Sequence, residues 1–334
     1  MTSHTSSTTT SSDDRSPTTD RPGRLLHTGP AIVDIRLDVT HHPTPGCDVL
    51  ASASHITAGG GFNVMVAAAR AGAQVSYLGP LGDGPMSQMV AGQLIAEGIK
   101  IGAPRASQTD IAYCVALVNP NGERSFVSYL AGDDAPAPEL SGIDLRAADV
   151  VYLIGYSMLN AANRQMLCAW LPTLPDRLRV VLDASPMVGE IPQDAWQVLV
   201  DRVSIWTLSI TEANTTHTRL TGRPAPENPA ELCGGLAATL GRSVVLRAGT
   251  AGTWLAEDTH TPATHFPAPQ VEAVDTIGAG DTHTGHLIAQ LLAGRPLPGA
   301  VHRANLAAAI AVTRFGPATA PTLAEVEAAL TREE

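Results

Sequence analysis

Lysine is almost missing from this chain: Lys100 is the only one. No GxxxxGK[ST] segment exists, so there is no P-loop, and no second lysine is on hand as a Schiff-base nucleophile. Any phosphate bound here must be met by backbone amides, arginines or metal. Cysteine is sparse too. Cys47, Cys114, Cys168 and Cys233 stand far apart, which leaves no CxxC zinc or redox pair and, with no signal peptide visible, points to a reducing, cytoplasmic setting. No apolar run approaches the about 20 residues of a membrane span. The net charge of −11 argues against a nucleic-acid or anionic-membrane surface, either of which would need basic clusters. No GxGxxG follows the first strand, where Gly29-Pro30-Ala31 stands instead, so a dinucleotide-dependent dehydrogenase is disfavoured.

What is present reads as a globular α/β protein. With 334 residues, 44% of them hydrophobic, there is ample chain to bury a core. Residues 1–23 are rich in Ser and Thr, lack an apolar h-region and read as a disordered tail; residues 24–334 carry no further linker and read as one domain. Residues 25–39 read as a buried strand that continues outward past Asp34. Residues 62–73 have helical spacing, with Val64, Ala67, Ala68 and Ala71 on one face, followed by a strand over 75–82 and a helix over 87–98. Further apolar runs at 150–155, 180–185, 204–209 and 243–249 alternate with helical segments. Their near-continuous hydrophobicity fits strands buried on both faces, and the alternation predicts a mostly parallel sheet covered by helices. One segment departs from this rhythm. Residues 111–118 and 124–130 are both strand-like and are joined by Asn119-Pro120-Asn121-Gly122, where Pro120 presets φ and Asn121-Gly122 accepts positive φ. With strand-like residues between about 36 and 57, this hairpin suggests a small β lid; an ordinary antiparallel edge is the alternative.

The segment with most chemistry is VDTIGAGDTHTGHLIAQLLAG, residues 274–294. Leu287, Ile288, Leu291 and Leu292 give it a helical apolar face, which puts Gly278, Ala279 and Gly280 at a helix N-terminus. The first amides there lack intrahelical partners and the helix dipole is positive. Small residues let the backbone approach an anion closely. Asp281, in the first turn, would lie beside that anion as a proton acceptor, a pairing suited to phosphoryl transfer. The competing interpretation is tight packing, with Asp281 serving only the dipole.

Asp275-Thr276-Ile277-Gly278-Ala279-Gly280-Asp281 resembles the C-terminal signature of the ribokinase-like (phosphofructokinase-B type) sugar and nucleoside kinases. AGGGFNVMVAAARAGA resembles that family's N-terminal signature, NPNGERSFVSYLAG its lid hairpin, RAGTAGTWL its nucleotide loop, and NLAAAIAVTRFG its adenine-side helix. The resemblance runs from about Leu25 to the C-terminus. It implies a three-layer α/β sandwich with a small β-sheet lid, and an ATP- and Mg²⁺-dependent kinase acting on a hydroxymethyl-type alcohol. It also implies roles. Asp281 matches the catalytic base, and Gly278, Ala279 and Gly280 the anion hole. Asp34, Gly59 and Asn63 match groups that hold substrate hydroxyls. Gly249, Gly252, Thr276 and Asn305 match positions beside the nucleotide, and Glu212 one that organises Mg²⁺ through water. Asp275 and Ile277 match positions that contribute to a monovalent-cation (K⁺) site in some members.

Three departures bear on function. Ser209-Ile210-Thr211-Glu212 keeps the acid of an N-x-x-E motif but replaces its asparagine. Gly60 stands where ribokinase has a lysine, and Tyr156 near where it has a glutamate, which disfavours ribose. Tyr156 could stack on a nucleobase, or it could be packing. His283 replaces a usual phenylalanine; with His286 it has a metal-compatible spacing, but no carboxylate or cysteine completes a site. The expected activity is a sugar kinase, with a nucleoside kinase and a non-catalytic sugar- or nucleoside-binding protein as alternatives. A homodimer joined through exposed lid edges is a further expectation.

Overall fold

The computed structural model describes residues 22–333 apart from 103–105, 107, 131–139, 141 and 258–260, so the expected tail lies almost wholly outside the described residues. Strand β1 (Arg24–His27) lies in the large sheet, but the strand expected over 25–39 is broken in two. Pro30 has no N–H to donate, and Gly29 passes so near Ser157 and Ile154 that a Cβ would meet them at 2.4 and 2.7 Å. The chain therefore turns out of the sheet and resumes as β2 (Ala31–Val39) in a separate lid. It returns through β3 (Ala51–Gly60) into helix α1 (Gly61–Arg70).

The α/β rhythm continues through β4 (Gln74–Tyr77), α2 (Pro85–Ala96) and β5 (Lys100–Ile101). The hairpin β6 (Tyr113–Val118) and β7 (Arg124–Tyr129) then goes to the lid. Next come β8 (Val150–Ile154), α3 (Ala161–Trp170), β9 (Arg179–Asp183), α4 (Gln193–Arg202) and β10 (Ile205–Ser209). After these follow α5 (Ile210–Thr221), α6 (Pro229–Leu240), β11 (Ser243–Arg247), β12 (Thr253–Ala256) and β13 (Thr264–Phe266). Helices α7 (Ala279–Leu292), α8 (Leu297–Ala311) and α9 (Leu323–Glu333) close the chain.

Among the described residues, nine strands form one sheet in the order β13-β12-β11-β10-β9-β8-β1-β4-β5, parallel from β11 to β5. Strands β12 and β13 run antiparallel at one edge. Alternate side chains of each central strand enter different cores, as the two-residue period requires. Val150 and Tyr152 pack with α1, α2, α7 and α8 on one face, while Val151 and Leu153 pack with α3, α4, α5 and α6 on the other. The lid is a four-stranded sheet, β3-β2-β6-β7, whose strands begin at residue 31, earlier than the expected start near 36. No helix of the described residues is long and apolar enough to cross a membrane.

One contact fixes the geometry of the site. Gly285 of α7 lies flat against α1: a Cβ there would stand 2.5 Å from both the Ala67 Cβ and the Val64 carbonyl oxygen. Gly285→Ala should therefore force the two helices apart and cost about 1–3 kcal/mol. An unchanged denaturation midpoint for this variant would show that the helices adjust freely and that the contact is not a constraint.

Candidate active site

The N-terminus of α7 is built to stay open. Gly278 caps the helix in the left-handed region, at φ 75°, and passes so near Pro317 that a Cβ would meet its carbonyl at 2.0 Å. Both demands select glycine. Asp275 shapes the preceding turn, accepting from the Ile277 amide at 3.0 Å and the Gly316 amide at 3.3 Å. The first i→i−4 bond is Thr282 N–H to the Gly278 carbonyl, at 2.8 Å. Ahead of it, the Gly280 and Asp281 amides find no backbone acceptor and Ala279 only a distant one, Thr276 O at 3.4 Å. Two amides without a backbone acceptor, and a third held only at long range, thus lie at the positive end of the helix dipole.

Asp281 stands beside them and accepts from Asn63 Nδ2 at 3.0 Å. Asn63 is in the first turn of α1, so the α1–α7 contact brings together residues 218 positions apart in sequence. The Asn63 carbonyl oxygen is buried without a partner. Burial pushes the Asp281 carboxyl up to about 6; the Asn63 bond and Arg247 oppose the rise, and the Asp183 charge adds to it. Asp34, on β2 of the lid, is likewise pushed up to about 6 by burial. Gly59 makes room for it, since a Cβ at that position would fall 1.8 Å from Asp34 Oδ2.

Asp281 and the turn before it edge a cavity of about 630 Å³, lined among others by Tyr156, Glu212, Gly249, Gly252, Thr276, Asn305 and residues 278–281. Gly249 and Gly252 both take positive φ, 57° and 94°, so the backbone turns tightly along one wall. Tyr156 is half-buried, its ring packed partly on the core. Asn305 lines the cavity with its amide already engaged: Oδ1 accepts from Thr253 Oγ1 at 2.6 Å and Nδ2 donates to the Phe266 carbonyl at 3.0 Å. Gly60 reaches the lining, whereas Asp34, Gly59, Asn63, Asp275 and Ile277 are not among the residues that line it.

Ser209 and Glu212 form a reciprocal cap at the start of α5. The Glu212 carboxylate accepts from the Ser209 amide at 2.7 Å, and Ser209 Oγ accepts from the Glu212 amide at 3.3 Å. Serine in place of asparagine is thus accounted for locally as an N-cap. Burial and the Asp183 charge push the Glu212 carboxyl up, with Arg247 opposing. His283 and His286 are buried, which lowers them to about 3 and about 4 and keeps both neutral. Among the described residues no group of three His, Cys, Asp or Glu side chains could hold a metal.

Two further residues of the cavity were not singled out from the sequence. Arg247 ends β11 and Asp183 ends β9, and they pair at 2.7 Å; Arg247 also donates to Thr284 Oγ1 at 2.7 Å and to the Gly280 carbonyl at 3.3 Å. Glu212 Oε2 lies 3.7 Å from the same guanidinium. Burial alone would raise the Asp183 carboxyl, but Arg247 and the Thr284 and Thr207 hydroxyls hold it below its usual range. Arg247 is the only arginine or lysine among the described residues lining the cavity. The signal was available: charged residues closing the apolar runs VVLD and SVVLR lie at the carboxyl ends of parallel strands, where ligands of open α/β sheets bind.

Comparison with known proteins follows the same lines. The profile described as pfkB family carbohydrate kinase matches residues 24–323. An Escherichia coli (strain K12) protein named "Uncharacterized sugar kinase YegV" is 28% identical over 312 residues, 90% of this chain and 92% of that one. Arabidopsis thaliana ribokinase, solved with ribose and ATP, superposes with a TM-score of 0.77 at 22% identity, covering 93% of this chain and 99% of the other. Adenosine kinase from Sinorhizobium meliloti gives 0.74 at 18% identity, covering 94% and 100%. At such identities these two structures establish the ribokinase-like fold.

Removing Arg247 alone would strand a buried carboxylate. Arg247→Met should cost about 3–5 kcal/mol in chemical denaturation, and adding Asp183→Asn should recover much of it. Equal losses in the single and double variants would mean that the pair is not coupled.

Proposed function

The chain belongs to the pfkB family of carbohydrate kinases, and from that premise we propose that it transfers the γ-phosphoryl group of ATP to a hydroxymethyl-type hydroxyl of a small sugar. The observation that carries this reading is Asp281 next to the open amides of its own helix turn, bonded to Asn63 and close enough to Asp34 to feel its charge. The sugar hydroxyl gives its proton to Asp281 as its oxygen bonds to the γ-phosphorus. The bond from that phosphorus to the bridging oxygen of ADP breaks. Amides of Ala279, Gly280 and Asp281 stabilise the charge on the moving group, a type of contribution worth roughly 3–4 kcal/mol per donor elsewhere. The bound ribose and ATP of the Arabidopsis ribokinase support a sugar and ATP on this fold.

Asp34, Gly59 and Asn63 are assigned to the sugar hydroxyls. The carboxylate of Asp34 makes no hydrogen bond within the described residues and the Asn63 carbonyl is orphaned, so both suit a polyol. Gly249, Gly252, Thr276 and Asn305 are assigned to the nucleotide side, with Asn305 shaping the wall through Thr253 rather than offering a free amide. Mg²⁺ would neutralise charge on the ATP phosphates. Glu212 fits it through water, because one carboxylate oxygen is occupied by the α5 cap while the other meets no donor among the described residues. A nucleoside acceptor is the second reading, favoured by Tyr156 at the cavity wall. The exposed β7 edge, with Phe126, Val127 and Tyr129 uncovered, supports pairing of two copies through their lids.

ADP release from ATP and Mg²⁺ across a panel of sugars and nucleosides tests the reading. Turnover with one class is expected, with Asp281→Asn lowering it by about 10²–10⁴-fold. Near-normal turnover in that variant would remove the base. Ligand stabilisation without turnover across the panel would favour a binding protein.

The titration of the base gives a second test. A protonated Asp281 cannot accept the hydroxyl proton, so kcat/KM should fall as pH drops through about 6 and level off above it. Asp34 titrates in the same range, so Asp34→Asn decides the assignment: the acid limb should persist in that variant, and its loss would assign the limb to Asp34.

A further inference from the structure

Two arginines of the lid converge on a buried carboxylate behind the anion-binding turn. Arg124, at the start of β7, brings its Nη2 to 3.5 Å from Asp275 Oδ1, and Arg36, on β2, brings its Nη1 to 3.9 Å from Oδ2. The Asp275 side chain is only 4% exposed, whereas the arginines retain 24% and 32%. Arg36 is aimed by a bond of 2.8 Å from its Nε to Asp38 and lies over the Phe315 ring at 5.0 Å. The same Asp275 oxygens accept the Ile277 and Gly316 amides, which shape the turn leading into Gly278. A continuous chain of contacts therefore runs from the lid, through Asp275, to the amides of α7.

A buried carboxylate needs compensation, and a monovalent cation is one way to provide it. The surroundings of Asp275 do not fit that solution. Each oxygen already faces one backbone amide and one guanidinium, so the positive charge is supplied by the chain itself. Both guanidinium groups belong to the lid, which makes the compensation conditional on lid position.

We propose that Arg36 and Arg124 are positioning residues that take the place of a monovalent cation at Asp275, so that lowering the lid completes the anion-binding turn without K⁺. The role of the turn in phosphoryl transfer rests on the kinase reading above; the charge balance at Asp275 does not. Ion pairs at this separation act over a distance at which a partly dry interior strengthens attraction several-fold relative to water.

The test compares the full-length wild type with the Arg36→Met/Arg124→Met and Arg36→Lys/Arg124→Lys double variants. Each is studied in KCl and in tetramethylammonium chloride of equal ionic strength. Thermal midpoint without substrate and ADP release with the acceptor found in the panel are both read. The wild type should show the same midpoint and the same rate in the two salts. The Met double variant should lose on the order of ten- to a hundredfold in kcat in tetramethylammonium. Its midpoint should rise selectively with K⁺, which a loss of packing alone would not produce. The Lys double variant should restore K⁺ independence. Stabilisation or activation of the wild type by K⁺ would overturn the proposal, as would a Met double variant as fast as wild type in tetramethylammonium. If no acceptor is phosphorylated, the kinase reading fails while the midpoints still decide the charge balance.

Discussion

The seating of α7 on α1 is the constraint on which the rest of the site depends. Phosphate-directed amides are useful only at a helix end left open, yet the helix behind them must be firmly held. Gly285 meets both needs by letting α7 lie against Ala67 and Val64, burying the helix body while its first turn faces the cavity. The same contact carries Asn63 to Asp281. The proposed base, the open amides and Asn63 thus share one packed element pair, an arrangement that would preorganise a site without relying on loops.

Electrostatics adds a second layer. With one lysine in the chain, the cavity gathers carboxylates at 183, 212 and 281 around a single guanidinium, Arg247. That guanidinium is consumed by Asp183, Thr284 and the Gly280 carbonyl, so it holds strand ends and helix together. Burial, with the Asp183 charge adding to it, leaves Asp281 and Glu212 with raised proton affinity. Charge brought in by a nucleotide and its divalent ion would be met chiefly by backbone dipoles, in keeping with the scarcity of lysine.

Much of this was legible locally. The Asn119-Pro120-Asn121-Gly122 turn announced the lid hairpin, and the glycines at 278 and 280 announced the open helix end, because each depends on backbone conformation that nearby residues dictate. What escaped was non-local. The break at Gly29-Pro30 had a local signal, since a Gly-Pro pair marks a turn, but the apolar residues on either side, Leu25-Leu26 and Ala31-Ile32-Val33, read as one strand although they belong to two different sheets. Arg247 and Asp183 are 64 residues apart and are joined only by the register of β9, β10 and β11. Asn305 could be placed at the cavity from the sequence, but the bonds that occupy its amide come from β12 and the residue ending β13. The guanidinium partners of Asp275 come from the lid, more than 150 residues upstream, and no spacing rule links them.

The position of Asp34 has a kinetic consequence. It lies on β2, a lid strand that leaves the large sheet through the turn at Gly29-Pro30, whereas Asp281 is anchored in the body. A molecule held by both would tie the two parts of the protein together for as long as it stayed bound. Escape of the product then requires the tie to be undone first, and the residence time of the product becomes a property of that turn more than of the chemistry. Turnover on this fold would be paced by the mechanics of the connection between two sheets.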